Sequence, residues 1–197
     1  MKKKVILIGN GGHAVSCIDI IESSKDLELV GIVTKNKTNQ KFFLEKYRVL
    51  GFQKELFKLK KITNNLILGI SFFENLKKRE KLINSCQNIG FRFISLISRN
   101  CFISKNAKIG SGCQIFNNVS VSGNSILKDN VILNTGSIIE HDVTIYENSH
   151  ISTGAIINGN CNIGKNTFVG SRSVLRQGIK VKQNKFIKMG SALKHDL

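Results

Sequence analysis

The sequence predicts a chain in two parts, a small α/β region followed by an all-β coil of stacked six-residue sides. The first observation is a rhythm. From Ile103 to Leu193 every sixth residue is apolar without a break: Ile103, Ile109, Ile115, Val121, Leu127, Leu133, Ile139, Ile145, Ile151, Ile157, Ile163, Val169, Leu175, Val181, Ile187 and Leu193. At an apolar frequency of about 0.4, a series of this length arises by chance on the order of once in 10⁶, so a repeat is the primary reading. A period of six fits neither a helix, near 3.6, nor a single strand, near 2. The second observation is that the first half of the chain alternates short buried strands with helical patterns, as a parallel α/β sheet requires.

The α/β elements follow in order. Residues 4 to 8 end in Val5-Ile6-Leu7-Ile8 and read as a buried strand, broken by Gly9-Asn10-Gly11-Gly12-His13. An apolar-periodic helix follows, with Val15, Ile18 and Ile21 on one face. A second strand runs from about Leu29 to Val33, then a charged, loosely patterned stretch to about Lys61. Leu66-Ile67-Leu68 reads as a third strand, helix signals run from Glu74 to about Asn88, and Phe91 to Ile94 alternates as a last strand. The expected division is residues 1–96 and 97–197.

In the coil, three sides make a turn of 18 residues, so residues 103 to 192 give five turns without an inserted loop. Stacked turns pair as parallel strands about 4.8 Å apart. Four residues after each large apolar residue comes a small or β-branched one, from Ala107, Cys113 and Val119 to Cys161, Thr167 and Ser173, placed where the chain turns. Six-residue repeats of this kind build left-handed parallel β-helices, an exception to the right-handed crossover rule.

Composition narrows the function. The net charge is +17, yet the lysines are scattered, Trp is absent and no nucleic-acid motif occurs. One stretch is more pointed. From residue 157 onward, Lys165, Arg172, Arg176, Lys180, Lys182, Lys185, Lys188 and Lys194 face Asp196 alone, which suits docking of a polyphosphate. The apolar run after Lys4 is too short for a signal peptide or a membrane span, and with the cysteines read as reduced a cytoplasmic location is expected. Cys17, Cys86, Cys101, Cys113 and Cys161 form no C-x-x-C pair and read as reduced packing residues.

Two sites stand out. Glycines between a strand and a helix let a phosphate approach the free N–H groups of the helix start. A dinucleotide enzyme wants an acid after its second strand, where this chain has Thr34-Lys35, and the region is too small for two nucleotide-binding halves. A single nucleotide-sugar phosphate is the expected ligand. In the coil, Glu140-His141-Asp142 sets a histidine between two carboxylates, which orient an imidazole and favour its taking up a proton, as a general base needs. Stacking puts Gly123 one turn before His141 and Gly159 one turn after, leaving room for a ligand. His150 lies half a turn on, so the two histidines of one chain point to different sides. With only His13, His141, His150 and His195 in the chain, no metal is expected.

Ile8-Gly9-Asn10-Gly11-Gly12-His13, Leu133-Asn134-Thr135-Gly136-Ser137-Ile138-Ile139-Glu140-His141-Asp142 and Ser149-His150-Ile151-Ser152-Thr153-Gly154-Ala155 carry a family likeness. By these motifs the whole chain resembles the bacterial sugar acetyltransferases of the bacillosamine and sialic-acid type, the PglD/NeuD group. The resemblance implies an N-terminal Rossmann-like domain binding the nucleotide sugar, a homotrimer of left-handed β-helices, and active sites between subunits with acetyl-CoA lying along the helix. It implies His141 as general base and Asp142 as its carboxylate. His150 would lie near the acetyl group and pantetheine, with Gly159, Ser171 and Met189 lining CoA. Gly11, Gly12 and His13 would hold the sugar nucleotide, with Thr34, Lys35 and Ser71 in the same surface. The acceptor implied is a nucleotide-linked 4-amino sugar for surface glycan synthesis. O-acetylation of sialic acid and a non-catalytic scaffold are the alternative readings. The chain departs from the family's pattern in having Thr34-Lys35 where uridine binders carry acids. It departs again in ending Met189-Gly190-Ser191-Ala192-Leu193-Lys194, without the Gly-x-Pro-Ala of many relatives.

Overall fold

The computed structural model describes residues 1–35, 46–71 and 76–197. Strand β1 (Lys3–Ile8) is central, and Val5 to Ile8 are wholly buried, as a parallel strand covered on both faces must be. Helix α1 (Gly12–Ser23) follows, then β2 (Leu27–Thr34), β3 (Val49–Phe52), a 3₁₀ helix (Gln53–Lys61), β4 (Asn65–Leu68), α2 (Leu76–Asn88) and β5 (Arg92–Phe93). All strands pair in parallel in the order β3-β2-β1-β4-β5, the arrangement of a Rossmann-like sheet. β3 and the 3₁₀ helix occupy part of the stretch expected to be loosely patterned. Leu56 and Leu59 are buried there at the three-residue spacing of a 3₁₀ turn, which a search for the 3.6 period passes over. The expected helix start, Glu74, lies outside the described residues.

The coil begins at Leu96–Ile97 and ends at Ala192–Leu193, in stacks of six, five and six two-residue strands. It is a left-handed parallel β-helix. From Ile115 to Ile187 the inward residues of the six-residue series are buried, and they form one continuous core. The small corner residues point inward too. Several of the polar ones close the corner by donating to the carbonyl fifteen residues on, as Ser125 Oγ does to Glu140 O at 2.7 Å and Ser173 Oγ to Lys188 O at 2.9 Å. Cys113 and Cys161 donate in the same way, and all five cysteines are free.

A third mark of the repeat emerges at the corners. One residue per side, from Gly112 through Asn118, Asn124 and Asn130 to Asn184 and Gly190, has a left-handed backbone with φ from +55° to +79°. Asn, Asp and Gly tolerate that conformation, and only Arg172 departs from them.

The three faces of the coil differ outwardly. One stack presents Leu96, Gln114, Ile132 and His150, all buried, to the α/β region. There Leu96, Phe116 and Ile132 pack with Ala14, Cys17, Ile18 and Ile21 of α1 in a single cluster. We call this the docked face. A second, apolar face presents Phe102, Ile138, Ile156, Val174 and Ala192, with nothing of the chain over Phe102 or Val174. The third, polar face presents Lys108, Ile126, Thr144, Asn162 and Lys180.

Candidate functional site

His141 and Asp142 form the corner between the apolar and polar faces, opposite the docked face. Asp142 takes the left-handed position, with φ +60°, and its Oδ2 lies 2.7 Å from His141 Nδ1. Asn124, one turn earlier, donates to the other carboxylate oxygen at 3.2 Å. These bonds hold the Asp142 carboxyl below its ordinary range, the bond from His141 first. A carboxylate only accepts, so Nδ1 carries a proton, and no described residue bonds Nε2. Both side chains are half exposed, as a group that must meet a substrate requires. Of the two carboxylates flanking His141, Asp142 alone bonds it, while Ser122 Oγ lies 3.4 Å from Glu140 Oε2. Gly159 is needed beside the imidazole, because a Cβ there would stand 2.6 Å from His141 Cε1 and 2.7 Å from Nε2.

On the same side of the coil is a shallow hollow of about 350 Å³, lined by Asn158, Val174, Arg176, Ala192, Leu193 and Lys194. Its floor is apolar and its rim carries two cations. Ser171 and Met189 are on the corner between the docked and apolar faces, where Ser171 Oγ meets Ser152 Oγ at 2.9 Å and Met189 is exposed. Of the residues expected to line CoA, the structure therefore brings only Gly159 to His141.

A second site opens beyond the carboxyl ends of β1 and β4. Gly9 to His13, Lys35, Gly69, Ile70, Ser71, Lys78 and Leu82 line a pocket of about 540 Å³. A Cβ on Gly9, whose φ is +118°, would stand 2.6 Å from Gly69 O, so only glycine lets the loop pass β4. Helix α1 starts without a side-chain cap, and its first N–H groups are open to an anion. Gly11, Gly12, His13, Lys35 and Ser71 are thus together, whereas Thr34 is fully buried just behind them.

His150 lies on the docked face, 5 % exposed, with Phe168 edge-on at 5.1 Å and neither ring nitrogen hydrogen-bonded. Burial pushes its pKa down to about 3, helped by His13 and Arg79. Burial likewise lowers His13 to about 4. Arg79, itself buried, donates to Asn130 O at 3.1 Å. Beside it Glu80 pairs with Lys165 at 2.6 Å, so α2 is pinned to the coil. Sequence reasoning missed Arg79, Lys78 and Gln114, because which outward positions become buried depends on how the α/β region docks. No group of three or more His, Cys, Asp or Glu able to hold a metal occurs among the described residues. No helix among them is long and apolar enough to cross a membrane.

Residues 97–196 match the GMPPB C-terminal domain family, and residues 4–86 match the PglD N-terminal domain family. The acetyltransferase domain of PglB from Neisseria gonorrhoeae FA1090 is 25 % identical, with 100 % of this chain and 93 % of that one covered and a TM-score of 0.87. A single-residue variant of perosamine N-acetyltransferase from Caulobacter crescentus, in complex with CoA and GDP-perosamine, is 22 % identical over 99 % of this chain and 90 % of its own, with a TM-score of 0.90. WeeI from Acinetobacter baumannii AYE is 18 % identical over 95 % of each chain, with a TM-score of 0.70.

Proposed function

Because this chain belongs to the PglD-type sugar acetyltransferases of the hexapeptide-repeat, left-handed β-helix family, we propose that it transfers the acetyl group of acetyl-CoA to the amine of a nucleotide-linked 4-amino sugar. The observation that carries this reading is the His141–Asp142 pair, bonded through Nδ1 and set beside Gly159 and the hollow that begins at Asn158. The Caulobacter neighbour's GDP-perosamine supports a sugar nucleotide of this kind.

Residues 1–96 hold the sugar nucleotide, its phosphates on the N–H groups at the start of α1 and on Lys35. Residues 97–197 carry the transfer. Acetyl-CoA supplies an activated thioester. In this reading Val174, Ala192 and Leu193 of the hollow meet its apolar stretch and Arg176 and Lys194 its phosphates. His141 Nε2 takes the proton of the amine as the nitrogen bonds to the thioester carbon. It returns that proton to the sulfur as the C–S bond breaks, so no covalent enzyme intermediate forms. Asp142 holds the imidazole in the tautomer that leaves Nε2 free.

Within one chain the pocket opens beside the docked face, and His141 sits on the opposite corner. A sugar held in the pocket therefore meets a His141 of another copy. This supports a homotrimer with sites between subunits, as does the uncovered apolar face with Phe102 63 % exposed. His150, without a partner for either ring nitrogen, keeps its proposed place near the acetyl and pantetheine end, and Ser171 and Met189 theirs along CoA from the adjoining corner. We place the protein in the cytoplasm, supplying a surface-glycan pathway and using no metal.

The test is release of the CoA thiol over a panel of UDP-, dTDP- and GDP-linked amino sugars, with free sialic acid included. Turnover of one amino-sugar nucleotide is expected. Activity on sialic acid alone would replace this reading with O-acetylation, and thiol release with none of them would overturn it.

A further inference from the structure

The pocket of the α/β region is programmed by a residue of the coil. Gln114 points outward from the docked face and is 1 % exposed. Its Nε2 lies 2.6 Å from the carbonyl oxygen of Leu68, at the end of β4. Its Oε1 lies 2.6 Å from His13 Nε2. A backbone carbonyl can only accept, so the amide nitrogen must face Leu68 and the amide cannot be flipped. The oxygen left facing His13 can also only accept. His13 Nε2 therefore carries the proton and donates it to Gln114.

A neutral imidazole has one ring proton, and burial keeps His13 neutral, with the Arg79 charge acting in the same direction. Nδ1 is left as a bare lone pair. No described residue bonds it, it is not sealed from solvent, and His13 lines the pocket. Phe116 packs its ring 5.2 Å from the imidazole, which limits rotation. The rest of the lining is of the opposite kind, with the first N–H groups of α1 and the ammonium groups of Lys35 and Lys78. A phosphate oxygen at Nδ1 would set lone pair against lone pair, whereas at the glycine N–H groups it finds donors.

We propose that Gln114 acts as a positioning residue across the junction, fixing His13 as a hydrogen-bond acceptor so that the pocket takes its ligand with a sugar hydroxyl or amine N–H at His13 and its diphosphate on the glycine and lysine side. This rests on the sugar-nucleotide reading of the pocket and adds the ligand's orientation and the residue that enforces it. The donor specificity of the α/β region thus depends on the coil being docked against it.

The experiment is long-range ¹H–¹⁵N spectroscopy of the full chain labelled in its histidines, read with acceptor kinetics. In the unaltered protein His13 should show a protonated Nε2 and an unprotonated, pyridine-like Nδ1. A proton found on Nδ1 overturns the proposal. Adding GDP or UDP alone should leave the Nδ1 resonance in place, and the amino-sugar nucleotide that turns over should move it toward that of a hydrogen-bonded nitrogen. The reverse order also overturns the proposal. Gln114→Met, of similar length and without either bond, should mix the tautomers and raise KM for the sugar nucleotide about tenfold, with kcat within about twofold. An unchanged tautomer and KM in that variant count against it. If no sugar nucleotide binds, the reading of the pocket fails, while the tautomer of the unaltered protein still decides whether Gln114 sets His13.

Discussion

His141 and His150 stand nine residues apart on the same coil, and the chain gives them opposite surroundings. His141 is on an open corner, half exposed, bonded to a carboxylate at 2.7 Å and flanked by Gly159. His150 is packed on Phe168 inside the docked face, with neither ring nitrogen hydrogen-bonded. The first is the group to which the proposed reaction gives the proton transfer. The second is held neutral by burial, and His13 and the Arg79 charge in the same junction act in that direction. One side chain type is thus left open or sealed according to the face on which the six-residue rhythm places it.

The largest expected effect breaks the open corner. His141→Ala should lower acetyl transfer by roughly 10² to 10⁴-fold, the usual worth of a general base, with the assembly unchanged by size-exclusion chromatography. Retained turnover with the correct acceptor would remove His141 from the chemistry. Next comes Asp142→Asn. Asn occupies the same corner position at Asn118, Asn124 and Asn148, so the coil should melt as before. An amide can offer its NH₂ to Nδ1 and put the ring proton on Nε2, so kcat should fall about 10 to 10²-fold. Gly159→Ala sharpens the same point, because its Cβ would displace the imidazole while an exposed ring is free to swing away. About a tenfold loss of activity with little change in stability is expected, and equal losses in both would show that Gly159 serves only the coil.

The closed junction is probed by acid. His13 and His150 have folded pKa values of about 4 and about 3, below the 6.5 of the unfolded chain. Unfolding takes up protons between these limits, so the stability is whole above about pH 6.5 and declines as pH falls toward the folded values. The decline is about 1.4 kcal/mol per pH unit for each histidine. Urea midpoints from pH 7 to pH 5 should show it, and His150→Phe should remove about half the slope. The smallest effect concerns a corner outside both sites. Arg172 has φ +55° where most of its counterparts are Asn or Gly, so Arg172→Asn should stabilise by several tenths of a kcal/mol, up to about 1.

Much of this contrast can be read in the sequence, and the remainder has physical reasons for staying hidden. The inward series is legible because every member meets the same environment, the interior of the coil. The corner series of Asn, Asp and Gly is written just as regularly, but its meaning is conformational and a hydrophobicity pattern passes over it. His141 and Asp142 are legible as neighbours, whereas the choice between Glu140 and Asp142 as the partner of the imidazole is made in three dimensions, where Glu140 meets Ser122 instead. Val49–Phe52 is an edge strand of four residues, too short for its periodicity to stand out. Gln114 and Lys108 occupy the same place in successive sides of the repeat. One is buried and the other exposed only because the α/β region covers one face. Nothing local distinguishes them.

The stacking of turns also bears on how the molecule is made. Each side of the coil pairs with residues only eighteen positions before and after it, as Ile139 does with Val121 and Ile157. Growth can therefore start at any turn and spread, each step closing a loop of fixed, short length. The chain contains no proline, so no peptide bond in it must wait tens of seconds for isomerisation. Refolding of the single chain is then set by zipping and docking, and a slow phase that quickens with protein concentration reports copies finding one another.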